Sequence, residues 1–403
     1  MNDANIKKDR QFPKKLSVDI FPENRRSIFV FDVKRELIAF TKTKGGTTMK
    51  THRRGNWDLC LFMGVLIGIF LIFGLLPQIV LAGQKPIVIK YAHGGPPDPL
   101  KLPEQADAMA FKDYVESMSG GRITVEIYPA CQLGSEREML EGVKVGSIEM
   151  ANTSEGPVAG FYPEILATAI PYAFKNRRVA WEVMDGPYGQ RLTADILKKT
   201  GLRCLDINDN GYRNFTNNVR PVKTPADLKG LKIRTMENPA HMKMVNAMGA
   251  IATPIAWAET YTALQLGTVD GQENPVSLIV AKRFYEVQKN CTLDGHIFSI
   301  DFTWINEKFY QSLPHDLRQV VQDGAEMSGL VHRGMKILTN ALGVDVLKKK
   351  GMAVYTPTDE ERQMFKEASQ KPVIEWIKTK IDPSRVDEFL RAIDEAEKKL
   401  AVK

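Results

Sequence analysis

Cysteine is scarce in this chain, with four residues in 403. One of them, Cys60, begins a long apolar run, and the others are Cys131, Cys204 and Cys291. No CxxC pair occurs, and no cysteine and histidine spacing fits a zinc site. We therefore expect no metal site. One disulfide among the last three cysteines stays open as an alternative, although three buried thiols are the simpler arrangement.

The motifs of the common enzyme classes are also missing. There is no GxGxxG after a strand-like run, no GxxxxGK[ST], no HExxH and no GxSxG. No two histidines of the body are four residues apart; they are His93, His241, His296, His315 and His332. A hydrolase or isomerase assembled from distant residues has no local support. The sequence therefore favours a binding protein without a cofactor over an enzyme.

An excess of basic over acidic residues is absent from most of the chain, although the net charge is +7. Residues 1–82 hold 14 of the Lys and Arg residues and 7 of the Asp and Glu residues. The remaining residues are balanced, with 41 basic and 41 acidic side chains. Because no basic stripe remains for a polyanion, we expect no nucleic-acid partner.

The basic leader has the pattern of an export signal. Residues 59–76 carry no charge, Arg53 and Arg54 precede them, and Val80 and Ala82 supply small residues at positions −3 and −1. We expect cleavage after Ala82 and a periplasmic mature protein. The alternative is an uncleaved anchor, since about 18 apolar residues just span a bilayer. That alternative predicts a membrane-tethered sensor.

The segment before this signal is unusually long. The signal peptide covers residues 49–82, and Met49 with the basic residues behind it is a conventional beginning. We interpret residues 1–48 as a mis-assigned start or a disordered extension.

The body alternates strand-like and helix-like patterns, which predicts an α/β fold. The runs 87–93, 123–128, 148–153 and 231–236 are typical of strands, and 202–217 of extended chain. Helical patterns cover residues 103–118, 135–146, 176–200 and long stretches after Pro314 and Thr358. The segment 270–275 contains Gly and Pro and predicts a loop.

One arginine lies where ligands bind in α/β proteins. Arg234 lies in the C-terminal part of the strand predicted over 231–236, just before a helix that begins at Asn238. Its planar fork suits a carboxylate, and free N–H groups at the helix start favour an anion. A surface arginine paired with an acid is the competing interpretation. By themselves, Arg213 and Asn274 are uninformative.

Several ordered motifs match a known family. They are GLKIR at 230–234, GAIATP at 249–254, AETYTALQ at 258–265 and VDGQENP at 269–275. The chain resembles the solute receptors of TRAP transporters, the DctP-type extracytoplasmic binding proteins. The resemblance extends from about residue 85 to 390.

The resemblance implies a two-lobed periplasmic-binding-protein fold, with a ligand cleft between the lobes and a long helix spanning both. The first lobe would comprise 83–210 plus 300–339, and the second 211–299 plus 340–403. It implies capture of a small organic acid, such as a dicarboxylate, and delivery to a membrane permease. We expect a monomer. The substrate-binding residues implied are Arg234, Arg213, Asn274, Glu155 and Trp257.

Overall fold

The computed structural model describes residues 85–401. The predicted extension and signal peptide, residues 1–48 and 49–82, lie outside this range. The strands are β1 (Ile87–His93), β2 (Ile123–Tyr128), β3 (Met150–Ser154), β4 (Leu202–Asn217), β5 (Lys232–Thr235), β6 (Ile251–Pro254), β7 (Gly271–Pro275), β8 (Asn290–Asn306) and β9 (Ala353–Tyr355).

The α-helices lie between and after these strands. They are α1 (Pro103–Met118), α2 (Glu136–Val145), α3 (Glu155–Val158), α4 (Arg177–Asp185), α5 (Pro187–Thr200), α6 (Pro239–Ala247), α7 (Thr260–Gln265), α8 (Val276–Ala281), α9 (Glu307–Ser312), α10 (His315–Lys349), α11 (Asp359–Lys378) and α12 (Pro383–Lys399). Short 3-10 helices cover Pro163–Ala169, Pro225–Leu228, Trp257–Glu259 and Phe284–Glu286.

One mixed sheet joins all nine strands, in the order β2-β1-β3-β8-β4-β7-β5-β6, with β9 paired to β8. The two longest strands, β4 and β8, are antiparallel neighbours at its centre. The C-terminal half of β8 pairs with β3, and the C-terminal half of β4 pairs with β7. Each long strand therefore runs through both halves of the sheet. The predicted α/β class is confirmed.

Three apolar clusters cover the sheet. The largest collects side chains from the 3-10 helix Pro163–Ala169 and from α2, α4, α6, α11 and α12. A second packs α1 and the start of α10 against β1 and β2. A third surrounds α7, α8 and the end of α10. Burial of these apolar faces is the main stabilising contribution to each half of the sheet.

The long helix α10 runs for 35 residues and confirms the pattern that follows Pro314. It packs against α1, β4 and α8, and so contacts both halves of the sheet. Across residues 85–401, α10 included, no helix combines the length and apolarity that a membrane span requires. Cys131, Cys204 and Cys291 all have free thiols, which resolves the open question of a disulfide among them.

Two predicted elements were wrong. The single helix predicted over 176–200 is two helices, because Pro187 begins the second and Gly186 before it is extended, with φ −85° and ψ −169°. A residue before proline disfavours the helical region. The loop predicted over 270–275 is strand β7, which is buried and pairs with β4 and β5. Tertiary pairing overrides the local turn preference of its glycine and proline.

Candidate functional site

A cavity lies where the ends of several strands meet. The cavity is partly open to solvent, and its empty volume, including the open part, is about 440 Å³. Strand ends of α/β sheets open onto ligand clefts, which explains why β1, β3, β5 and β7 all supply residues. The lining residues are Gly94, Gly95, Glu104, Glu136, Asn152, Ser154, Asn210, Arg213, Arg234, Met236, Trp257, Asn274, Leu278 and Asp301.

Among residues 85–401, Arg234 is a buried cation without an acidic partner. It lies on β5 and is only 2% exposed. Its Nε donates to the carbonyl oxygen of Ile255 at 2.8 Å, while Nη1 is buried and donates to nothing in the described part of the chain. Burial, together with the charge of Arg213, lowers the pKa of Arg234 to about 10. A buried, uncompensated guanidinium is costly, and an anion in the cavity would offset that cost.

Arg213, in contrast, is already neutralised. It is fully buried on β4, and its Nε donates to Oε2 of Glu273. Its Nη2 donates to Oε1 and to the backbone carbonyl of Glu273, at 2.9 and 2.6 Å. Burial alone would raise the pKa of Glu273, but Arg213, His241 and His296 lower it well below its usual range. Glu273 therefore stays ionised and fixes Arg213 in the wall of the cavity.

Asn274 and Trp257 complete this side of the wall. Asn274 donates its Nδ2 to Oε1 of Gln272 at 2.5 Å, which orients the amide. Trp257 donates its Nε1 to the carbonyl oxygen of Gly94 at 3.1 Å. The guanidinium carbon of Arg234 lies 5.9 Å from the centre of the Trp257 ring. The indole therefore lies beside Arg234 and ties the segment after β6 to the segment after β1.

Glu155 does not line the cavity. It is the first residue of α3 and is 1% exposed. Its Oε2 accepts hydrogen bonds from the Ser299 hydroxyl at 2.7 Å and from the Ile300 amide at 3.3 Å. His241 lies between Glu155 and Glu273, with Nε2 3.4 Å from Oε1 of Glu155. Of the five predicted site residues, the structure brings four together at the cavity and places Glu155 behind its wall.

Three acidic residues of the wall were not predicted from the sequence: Glu104, Glu136 and Asp301. They come from α1, α2 and β8, so no local motif joins them. Asp301 did leave a signal, because it carries the single charge in residues 297–306 of the mostly apolar strand β8. The amides of Asn152 and Asn210 were also not predicted, because no local motif joins them to the other residues of the wall.

These acids keep acceptor atoms free. Oε2 of Glu104 and Oδ2 of Asp301 are buried and accept no hydrogen bond from residues 85–401. The other oxygen of Asp301 accepts from Nδ2 of Asn210 at 2.6 Å, and Oε1 of Glu104 accepts from Nζ of Lys336 at 3.1 Å. Burial raises the pKa of Asp301 to about 7, with Lys336 acting in the opposite direction.

Glu136 forms the third acidic position. It begins α2 and accepts hydrogen bonds from the Ser154 amide at 2.8 Å and from the Ser154 hydroxyl at 3.0 Å. Desolvation raises the pKa of Glu136. The cavity thus combines a free cation from β5 with acidic and amide acceptors from α1, α2, β4 and β8.

Comparison with known proteins identifies the family. The sequence model of bacterial extracellular solute-binding protein family 7, DctP, matches residues 98–379. A solute-binding protein of Verminephrobacter eiseniae is 40% identical over 252 residues, covering 62% of this chain and 75% of its own. The 2,3-diketo-L-gulonate-binding periplasmic protein YiaO of Escherichia coli is 32% identical over 290 residues, covering 72% and 87%.

A solved structure has the same fold. The TRAP periplasmic solute-binding protein of Polaromonas sp. JS666, bound to D-erythronate, superposes with a TM-score of 0.71 at 34% identity. The match covers 75% of this chain and 98% of that one. The predicted two-lobed fold with a ligand cleft is confirmed. The chain belongs to bacterial extracellular solute-binding protein family 7, whose members are periplasmic receptors that bind small organic acids and work with TRAP transporter permeases.

Proposed function

We propose that this receptor captures a monocarboxylic acid that carries several hydroxyl groups. The observation that carries the proposal is Arg234, a buried guanidinium with a free Nη1 and no acidic partner in the described chain. A carboxylate bound in the cavity supplies the missing charge. Arg213 and Asn274 extend the same wall and donate further hydrogen bonds, and Trp257 covers an apolar part of the ligand. Glu155 supports this wall from behind through His241 and Glu273.

The acidic side of the cavity argues against a second carboxylate. Glu104, Glu136 and Asp301 present oxygen atoms that accept hydrogen bonds from hydroxyl groups. A second ligand carboxylate would instead meet the charge of Glu104, and a further like charge on Asp301 once the pH exceeds its raised pKa of about 7. Two like charges 4 Å apart repel by about 4 kcal/mol at the dielectric typical of a protein surface. This favours a sugar acid over the dicarboxylate that the resemblance suggested as an example.

The relatives support this ligand class. The names of the Escherichia coli protein and of the Polaromonas structure give 2,3-diketo-L-gulonate and D-erythronate as ligands. Each is a monocarboxylate with hydroxyl groups along its carbon chain. The acidic and amide groups of the cavity are acceptors that suit those hydroxyl groups.

We further propose that the lobes divide as the sequence suggested, 83–210 plus 300–339 and 211–299 plus 340–403. The change of strand partners along β4 and β8 supports this division. Closure excludes water from the cavity and strengthens each charged contact there. The ligand then leaves unchanged, by release to the permease, so recovery of a chemically altered acid would contradict the binding role.

Calorimetry with D-erythronate, D-galactonate and succinate tests the ligand class. We expect a micromolar or tighter dissociation constant for at least one hydroxy acid, equivalent to about −8 kcal/mol. Above pH 7, succinate should bind at least about a hundredfold more weakly, because its second carboxylate would face the charges of Glu104 and Asp301. Equal or tighter binding of succinate would refute the hydroxyl-binding side. No binding of any carboxylate would refute the role of Arg234.

Export is proposed to end with cleavage after Ala82, which leaves a mature protein that begins at Gly83. Members of the family are periplasmic, and a periplasmic protein can result either from cleavage of the leader or from its retention as an anchor. N-terminal sequencing of the exported protein separates the two. A first residue of Gly83 is expected, whereas a chain that retains residues 59–76 indicates the tethered alternative.

A further inference from the structure

A lysine is fully buried behind the acidic side of the cavity. Lys336 lies on α10, one turn after His332 on the same inward face of the helix, and none of its surface is exposed. Lysine is almost never fully buried unless it is paired, because its ammonium group loses water. Here Nζ of Lys336 donates to Oε1 of Glu104 at 3.1 Å, and Glu104 lines the cavity.

Stability of the fold alone does not account for this pair. A buried ion pair repays the cost of removing both charges from water only in part, and apolar residues of similar volume often serve a fold as well or better. The ammonium group of Lys336 carries three N–H groups, yet it makes one hydrogen bond within residues 85–401. The reason for a charge at this position is therefore to be sought in the cavity.

The contact with Lys336 leaves one oxygen of Glu104 available to a ligand. Oε1 is held by Lys336, whereas Oε2 is buried and accepts no hydrogen bond from the described part of the chain. An ionised carboxylate only accepts hydrogen bonds, but a protonated one also donates. What Oε2 offers to a ligand thus depends on whether Glu104 is charged.

The charge of Glu104 depends mainly on Lys336. Burial by itself would raise the pKa of Glu104, but the charges of Lys336 and then of His332 bring it below its usual value. The other titratable groups near Glu104 provide no further cation. Burial lowers the pKa of His93 on β1, and Asp301 on β8 is itself an acid.

His332 is engaged with other groups. Its Nδ1 lies 3.3 Å from Oδ2 of Asp107, and its Nε2 lies 3.2 Å from the carbonyl oxygen of Asp209. Among residues 85–401, Lys336 is therefore the cation in direct contact with Glu104.

The long helix holds Lys336 in place. In the next turn of α10, Asn340 donates its Nδ2 to the carbonyl oxygen of Lys336 at 2.8 Å. Oδ1 of Asn340 accepts from the amide of Ser277 on α8 at 3.1 Å. A group on a helix that is tied to its surroundings holds a site more accurately than a group on a loop.

We propose that Lys336 is a positioning residue that sets the ligand selectivity of the cavity. It holds Oε1 of Glu104 and keeps this carboxylate ionised, so that Oε2 accepts from a ligand hydroxyl and repels a second ligand carboxylate. Arg234 is then the cation that contacts the ligand, and Lys336 is a cation that acts on the ligand through Glu104. This inference rests on the proposed function, because it assigns the discrimination between hydroxy acids and dicarboxylates to one buried charge.

Calorimetry at pH 6 tests the role of Lys336, with succinate and with the hydroxy acid, D-erythronate or D-galactonate, that binds the parent protein more tightly. At this pH Asp301 contributes little charge, because burial raises its pKa to about 7. Glu104→Gln removes the charge of Glu104 and keeps its shape. We expect it to bind succinate at least about tenfold more tightly and the hydroxy acid about tenfold more weakly.

Lys336→Met should reproduce both changes, because Glu104 without its cation takes up a proton. Lys336→Gln, which keeps a donor for Oε1 but not the charge, should do the same and provides a second variant if Lys336→Met is unstable. In the double variant Lys336→Met with Glu104→Gln the changes should not add, since both act on one group. Thermal unfolding shows that each variant is folded. Lys349→Met changes an exposed lysine at the end of α10 and should alter neither affinity.

The direction of the two changes separates a role in selectivity from a structural role. Opposite shifts for the two ligands in the Lys336 variants support the proposal, whereas equal weakening of both ligands would refute it. If Glu104→Gln alters the selectivity but the Lys336 variants keep that of the parent, Lys336 has no such role and the proposed function stands. If the parent itself binds succinate as tightly as the hydroxy acid, the proposed function fails and this inference fails with it.

Discussion

Two buried arginines of the cavity have opposite energetic roles. Arg213 is held by Glu273 through three hydrogen bonds, so its charge is neutralised in the protein itself. Arg234 has only a carbonyl oxygen at Nε and a free Nη1. The first arginine therefore contributes to the fold, whereas the second lowers the stability of the unliganded protein in favour of binding an anion.

Matched substitutions separate these roles. Arg234→Met should lower the affinity for the organic acid at least about a hundredfold, since it removes one member of a buried ion pair worth about 3–5 kcal/mol. It should not lower the stability of the ligand-free protein. Arg213→Met should destabilise the ligand-free protein by about 3–5 kcal/mol, because Glu273 is left buried without its partner. Calorimetry measures the affinity, and urea unfolding of the ligand-free variants measures the two stabilities.

Arg137→Ala changes an exposed arginine on α2 that pairs with Glu141; it serves as the control and should change neither quantity. A strongly destabilised Arg234→Met protein would contradict the assignment, because it would show that Arg234 is compensated within the fold.

His296 gives the protein a pH-dependent contribution to stability. It lies between Asp294 and Glu273, at 2.8 and 3.1 Å from their oxygens. Burial alone would lower the pKa of His296, but the two carboxylates raise it to about 9. Because the pKa of His296 in the folded protein lies above the usual 6.5, its protonated form stabilises the folded state. This stabilisation is complete below pH 6.5 and is lost as the pH rises through 9.

We therefore expect the free energy of unfolding to fall more between pH 6 and pH 9.5 for the parent protein than for His296→Gln. Urea unfolding at both pH values measures the difference, and the variant corrects for the other groups that titrate in this range. Equal losses in the two proteins would show that His296 is not charged in the folded state.

At the scale of elements, the long strand β4 depends on a glycine. Gly211 has φ +111° at a register shift between β4 and β8. A Cβ there would lie 3.2 Å from Cβ of Pro275, at the end of β7. Bulges of this kind bend a strand, and here the bend falls where β4 passes from one half of the sheet to the other.

Gly211→Ala should destabilise the protein by about 1–3 kcal/mol, because alanine is strained at positive φ and crowds Pro275. Gly201→Ala is the matched control, since Gly201 has φ +77° but open space around it. The smaller loss of stability that we expect for Gly201→Ala measures the cost of backbone strain alone. If the two variants lose the same free energy in urea unfolding, crowding at Pro275 contributes nothing.

The sequence predicted most elements because their patterns are local. The caps of α6 and α11 show this: Asn238 and Thr358 accept hydrogen bonds from the first helical amides, as their residue types indicate. The errors occurred where local and tertiary preferences conflict. Strand β7 has the glycine and proline of a turn, yet its position between β4 and β5 makes it a strand.

The binding site was predictable only in part, and for the same reason. Arg234, Arg213, Asn274 and Trp257 belong to motifs shared with the family, and all four meet at the cavity. Glu104 and Asp301 lie almost 200 residues apart and become neighbours only through the pairing of β1, β3 and β8. No spacing rule connects such residues before the fold is known.

At the scale of the whole molecule, two contacts join lining residues of the first proposed lobe to lining residues of the second. The indole of Trp257 donates to Gly94 at 3.1 Å, and the hydroxyl of Ser154 lies 3.4 Å from the sulfur of Met236. Gly94 is required for the first contact, since a Cβ there would lie 2.9 Å from Cδ1 of Trp257. A small number of directional contacts suits a cleft that must open again to release its ligand.

Small-angle scattering can follow this closure. We expect the parent protein to become more compact when D-erythronate is added, because the acid joins Arg234 on one side to hydroxyl acceptors on the other. Gly94→Ala should weaken binding by about tenfold or more, since overpacking against Trp257 costs about 1–3 kcal/mol, and it should reduce the compaction at a given ligand concentration. Arg234→Met should stay open at concentrations that close the parent protein. A radius that does not change when calorimetry shows the parent protein saturated would mean that the acid enters a cleft already closed, and the contacts of Trp257 would then be part of the resting structure.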